Sequence, residues 1–136
     1  MALYKEQEII CRELGNQDGL QNSLGNQADI LFARWDLDGA MALHKEQESL
    51  CRELGNKDVL QKSLGSQALI LETQRDMDGA MALYKEQESL CRELNNKHVL
   101  QNSLGNQALV LNARGDVDAA MALHKEQESL RRELGF

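Results

Sequence analysis

Residues 104–130 read LGNQALVLNARGDVDAAMALHKEQESL. The same phrase stands at 64–90 as LGSQALILETQRDMDGAMALYKEQESL and at 24–50 as LGNQADILFARWDLDGAMALHKEQESL. Met1, Met41, Met81 and Met121 each open a copy of MAL-(Tyr/His)-KEQE, so the period is 40 residues with no insertion or deletion. Residues 1–40 and 41–80 agree at 27 of 40 positions, and 41–80 and 81–120 at 28 of 40, which makes the repeat the unit of folding.

Each copy holds two helical patterns. Leu20, Leu24, Ala28 and Leu31 fall at steps of four, four and three, on one face of a helix, and recur at 60, 64, 68, 71 and at 100, 104, 108, 111. Leu37, Ala40, Met41, His44, Leu50 and Leu54 follow helical steps in the second pattern. No segment alternates apolar and polar residues as a strand would. A heptad does not divide 40, so a coiled coil does not fit either.

The punctuation is regular. Asp36, Asp76 and Asp116 stand where a side chain can cap the second helix, and Asp38, Asp78 and Asp118 add negative charge in its first turn. Gly15, Gly55 and Gly135, with Asn95 in the same place once, suit a left-handed helix end. These signals predict seven helices at 1–14, 17–34, 38–54, 57–74, 78–94, 97–114 and 118–134. The predicted fold is all-α, about seven antiparallel helices in one domain, 1–136. A half unit, 1–16, is followed by helix-pair units 17–56, 57–96 and 97–136.

Composition agrees. The 136 residues are 42% apolar and only 4% aromatic, with no proline. A stack of thin Leu/Ala/Met layers needs few aromatic rings, and glycine and asparagine take over the turns. There is no long apolar run for a membrane span, and MALYKEQEII has charges where a signal peptide needs its apolar stretch, so export is not expected. The net charge of −7 argues against nucleic acid and anionic membrane surfaces. A cytoplasmic location is the expectation.

Quoted in full, 104–130 resembles a tetratricopeptide repeat. Leu104, Ala108 and Leu111 match the family's large-small-large positions on the first helix, and Gly115-Asp116 with Ala120 is similar to its turn and second helix. The commonest form has about 34 residues. The 40-residue spacing resembles a longer variety found in spindle-orientation adaptors and bacterial signalling proteins, on the strength of Leu104-Gly105-Asn106, His44, His124 and Arg52-Glu53-Leu54-Gly55. Two departures stand out. Proline is missing from the end of the second helix. Gln27, Gln67 and Gln107 stand where the family usually has leucine, which puts a repeated amide inside the helix pair, where it needs hydrogen-bond partners.

The resemblance implies a right-handed alpha-alpha superhelix whose first helices line a groove for an extended peptide or a helix. Carried over residue by residue, the groove is Asn22, Asn26, Asp29 and Phe32 in one unit. It continues with Lys62, Ser66, Leu69 and Glu72, then Asn102, Asn106, Leu109 and Asn112. Side-chain amides both donate and accept, so a ladder of them can hold a peptide main chain, with Phe32, Leu69 and Leu109 as apolar anchors. The chaperone-tail subset grips a carboxylate with several basic residues. Only Lys62 stands in such a place, so that ligand is not expected.

Other chemistry is sparse. Cys11, Cys51 and Cys91 follow the repeat and not the close pairs of a zinc site. Packed helices lie about 8–10 Å apart, whereas a disulfide needs Cα atoms within about 7 Å, so free structural thiols are expected. Asp36-x-Asp38-Gly39 has its glycine two positions early for a calcium loop. No metal, cofactor or catalytic constellation is expected, because polar groups that recur every 40 residues give no unique site. His44 and His124 share a position with Tyr4 and Tyr84, which points to half-buried packing. Trp35, at the turn position of Gly115, is expected to pack on a neighbouring helix of its own chain.

The ends lack neighbours. Leu3, Ile9, Ile10 and Leu14 at one end, and Leu123, Leu130, Leu134 and Phe136 at the other, predict self-association, with a homodimer as the expected form. The leading functional expectation is a non-enzymatic interaction scaffold with a protein or peptide partner. The rival is a purely structural or self-assembling repeat, natural or designed, with no external ligand.

Overall fold

The computed structural model describes residues 1–136. Seven helices follow in order: α1 (Ala2–Leu14), α2 (Gln17–Ala33), α3 (Leu37–Leu54), α4 (Lys57–Thr73), α5 (Met77–Leu94), α6 (Lys97–Ala113) and α7 (Val117–Glu133). Each expected helix is present, its ends within one residue of the sequence-based bounds.

The caps explain that agreement. Asp36 and Asp76 accept from the backbone N–H of Gly39 and Gly79 at 2.9 Å, and Asp116 from Ala119. Asn16, Asn56 and Asn96 do the same for α2, α4 and α6, a role the sequence reading did not give them. Gly15, Gly55 and Asn95 close α1, α3 and α5 in the left-handed conformation. The turn inside each pair also needs a positive φ. Gly115 supplies it at 82°, but Trp35 and Arg75 are held at 62° and 66°.

Every helix packs against the next, and α2 also touches α4. The apolar interior is a row of small clusters. Cys11, Leu20 and Leu24 take in Leu43 and Leu50, and Cys51, Leu60 and Leu64 take in Leu83 and Leu90. Cys91, Leu100 and Leu104 take in Leu123 and Leu130. A fourth cluster, Ala68, Ala80, Met81, Tyr84 and Val110, joins α4, α5 and α6. Leu24, Leu64 and Leu104 are wholly buried, and each such burial stabilises by about 1.5–3 kcal/mol.

Glutamine runs through these layers. Gln27, Gln67 and Gln107 donate to Glu8, Glu48 and Glu88 at 2.8, 2.9 and 2.9 Å. Those acids lie on the preceding second helix, so the amides bridge successive units and not the interior of one pair. Gln47 and Gln87 donate to the main-chain carbonyls of Gln21 and Gln61, both at 3.0 Å. The thiols of Cys51 and Cys91 donate to the side-chain oxygens of the same two glutamines, again at 3.0 Å. On α7, Arg131 takes the cysteine position and its guanidinium reaches Gln101 at 3.4 Å. The cysteines are free and buried.

Arginine and glutamate tie the second helices together. Arg12 pairs with Glu8 on its own helix and Glu46 on α3, Arg52 with Glu48 and Glu86, and Arg92 with Glu88 and Glu126.

At the ends, Leu3, Ile9, Ile10 and Leu14 are exposed on α1 as expected. At the other end the expectation needs correction. Leu123 and Leu130 pack on Leu100, Leu104 and Cys91, because they face the helix that precedes them. Leu134 is half-buried. The open side of α7 carries Val117 and Met121 instead. Phe136 is exposed but folds back, edge-on to His98 with the Arg131 guanidinium 5.0 Å from its centroid. Trp35 is 74% exposed, contrary to expectation, and sits on a left-handed turn between α2 and α3.

Candidate functional site

The first helices bring most of the expected groove residues of two units together. Asn22, Asn26 and Asp29 on α2 face Lys62 and Ser66 on α4 across a groove of about 390 Å³. Gly25, Val59, His44 and Gln47 complete its lining. Asn22, Asn26, Asp29 and Lys62 are exposed, so their polar groups are open to a ligand. The steps of three and four between these residues put them on one helix face, opposite the buried Leu20, Leu24 and Ala28.

A smaller recess of about 60 Å³ continues from this groove, lined by Asp29, Phe32, His44, Ser66, Leu69 and Ile70. His44 is buried; its Nδ1 lies 3.0 Å from Gln47 Oε1 and its Nε2 3.7 Å from Asp29 Oδ1. The sequence reading placed His44 in packing, and it does pack, but it also lines the groove. The exchange of His and Tyr at 4, 44, 84 and 124 was the signal that could have marked it.

The remaining expected residues sit apart. Glu72 accepts a hydrogen bond of 2.9 Å from the Tyr84 phenol and lines a different cleft with Thr73, Arg75 and Met77. Burial and this acid push the Tyr84 phenol far above its ordinary range. Asn102, Leu109 and Asn112 are exposed on α6; Asn106 is half-buried, and Asn102 accepts from Gln101 at 2.7 Å. The amides therefore form no continuous ladder, and the pair on α2 stands in the groove by itself.

Two solved structures share this arrangement of helices. BtubC (BKLC) from P. vanneervenii matches over 97% of this chain and 54% of its own, with a TM-score of 0.90 and 20% identity. Aspartyl phosphate phosphatase F from Bacillus subtilis matches over 98% of this chain and 33% of its own, with a TM-score of 0.85 and 16% identity. The chain is an alpha solenoid. No protein-family profile matches it, and no curated protein matches it in sequence. The solenoid spans about half of the first of these structures and a third of the second.

Within the solenoid the two kinds of helix divide the work. First helices carry the groove, with amides and charges that have few internal partners. Second helices carry the arginine–glutamate pairs. Hydrogen bonds from Gln27 and Arg12 hold the Glu8 carboxyl below its usual range. Burial raises Glu48, but bonds from Gln67 and Arg52 outweigh it, and the net direction is again downward. Burial pushes the Cys51 and Cys91 thiols up to about 11, so they are poor nucleophiles.

Proposed function

We propose that this chain is a non-catalytic protein-interaction scaffold of the tetratricopeptide kind, holding a peptide or helix in the groove between α2 and α4. The observation that carries this reading is the groove itself: Asn22, Asn26, Asp29 and Lys62 open to solvent over a floor of His44 and Gln47. Exposed amides suit the main chain of a ligand, and Phe32 and Leu69 suit an apolar side chain. The raised thiols of Cys51 and Cys91 and the capping role of Asp36 support the non-catalytic reading. No helix is long and apolar enough to cross a membrane. Free buried thiols suit a reducing compartment, so the cytoplasm is the proposed location.

Selection from a random peptide library tests the reading. The wild type should retain peptides that an Asn22→Ala, Asn26→Ala double variant releases. Equal recovery by both would favour a purely structural repeat.

A second reading concerns copies of the chain. Leu3, Ile9, Ile10 and Leu14 are 46–79% exposed on one helix, an apolar strip open to a second copy. Light scattering at two concentrations should show mass rising with concentration. Leu3→Lys with Ile10→Lys should abolish the rise, and a constant monomer mass for the wild type would remove the idea.

A further inference from the structure

One repeated position on the second helices carries a ring: Tyr4, His44, Tyr84 and His124. On α5 the ring of Tyr84 is wholly buried and its phenol is satisfied by Glu72. On α3 the ring is an imidazole, which is smaller than a phenol. The acid has moved as well. Phe32 stands where Glu72 stands in the next unit, and Asp29 stands where Leu69 and Leu109 stand. A carboxylate has thus replaced leucine in one unit only. Asp29 does not close onto its histidine: the 3.7 Å separation is beyond a hydrogen bond, and the carboxylate remains 70% exposed. Beside the pair lies the recess walled by Phe32, Leu69 and Ile70.

We propose that this recess is a specificity pocket for a long basic side chain, lysine or arginine, on the segment bound in the groove. The inference rests on the groove reading above. Apolar walls with a carboxylate at the mouth match a methylene stem with a cationic head, the one kind of side chain that buries its stem and keeps its charge in water. Asp29 offers open acceptor sites, and a guanidinium can use two of them at once. Lys62 lines the adjoining part of the groove, on α4. Its charge favours an acidic group on the ligand there, so the two residues together fix the direction in which a ligand lies. Packing alone accounts for a ring at 44. It does not account for a carboxylate at 29, where the other two units place leucine.

Panning a library of random 12-residue peptides against the full chain tests this. Asp29→Leu and His44→Tyr are panned in parallel. Each substitution borrows the residue that the next unit uses at that place, and melting curves confirm that both variants fold. Peptides selected by the wild type should share a lysine or arginine at one position. Changing that residue to methionine should weaken binding about tenfold, as loss of a paired charge does. Asp29→Leu should weaken the parent peptide to the same degree and the methionine peptide hardly at all. His44→Tyr should weaken it by filling the recess. Selected peptides without a common basic residue, or equal binding to wild type and both variants, would overturn the pocket while leaving the groove. Selection of no peptide at all by the wild type would overturn the groove and the pocket with it.

Discussion

Gly25 lies directly beneath Gln47. A Cβ added to Gly25 would stand 2.5 Å from Gln47 Nε2, which donates at 3.0 Å to the Gln21 carbonyl, while Gln47 Oε1 lies 3.0 Å from His44 Nδ1. Gln87 and Gln127 cover Gly65 and Gly105 in the same way in the other units. The Gln47 amide is pinned at both ends in a buried place, so it cannot swing away without losing bonds. Alanine is the better helix former by about 1 kcal/mol, yet Gly25→Ala should destabilise the chain by about 1–2 kcal/mol. In a Gln47→Ala background the sign should reverse, and Gly25→Ala should stabilise. Urea unfolding of the four proteins in this cycle measures both signs.

Trp35 and Arg75 occupy left-handed turns that Gly115 occupies without strain. A side chain in that conformation costs about 1–2 kcal/mol, partly offset because glycine loosens the unfolded chain. Arg75→Gly should therefore raise stability by about 0.5–1 kcal/mol, and Gly115→Ala should lower it by a similar amount. Thermal melts of the two variants decide the point.

Cys51 and Cys91 are fully buried, donate to Gln21 and Gln61, and have thiols pushed up to about 11 from an ordinary 9.0. At pH 8 they should react with iodoacetamide no faster than the chain opens, as mass spectrometry of timed samples would show. The raised value also has a stability consequence. The contribution of the neutral thiol is complete below pH 9 and is lost as pH climbs toward 11. A Cys51→Ser, Cys91→Ser variant should show a shallower decline over that window.

Gln67 holds Glu48 through its amide N–H, but its own side-chain oxygen is buried without a partner. Leucine, the residue expected at this place by resemblance, removes that orphan acceptor. Gln67→Leu should be neutral or stabilising at pH 7, by up to about 1 kcal/mol. The Glu48 carboxyl, held below 4.5 in the folded chain, contributes stability above that pH and loses it as the solution is acidified. Without Gln67 this contribution shrinks, so the variant should lose less on acidification from pH 5 to pH 3. Unfolding curves at both pH values measure it.

The helices were legible because each boundary rests on local chemistry. Asp36, Asp76 and Asp116 announce the second helix, and Gly15, Gly55 and Asn95 end it, whatever lies beyond. Asn16, Asn56 and Asn96 were harder to read, because asparagine directly after the left-handed Gly or Asn looks like part of the turn when it caps the helix that follows. The repeated Gln67 was visibly out of place, but its partner Glu48 could not be read, since the bond depends on how one unit is staggered against the next. The open side of α7 was misjudged for a similar reason. Leu123 and Leu130 look unpaired at a chain end, yet a second helix turns those leucines toward the helix behind it. The groove positions came from resemblance, and the structure brings Asn22, Asn26 and Asp29 together with Lys62 and Ser66 while Glu72 lies in another cleft. The nearness of Asp29 to His44, 15 positions away, was invisible until both helices were in place.

Several polar contacts recur from one helix pair to the next. Gln21 meets Cys51 and Gln47 as Gln61 meets Cys91 and Gln87, and Arg12, Arg52 and Arg92 reach across in the same way. The pairing therefore carries little address: on the face of α4 that α5 covers, α3 would find the same kind of glutamine partner that it has on α2. The order of the array is kept by the length of the connecting turns and not by recognition. A chain built on such pairings runs the risk that two copies refolding together trade equivalent helices.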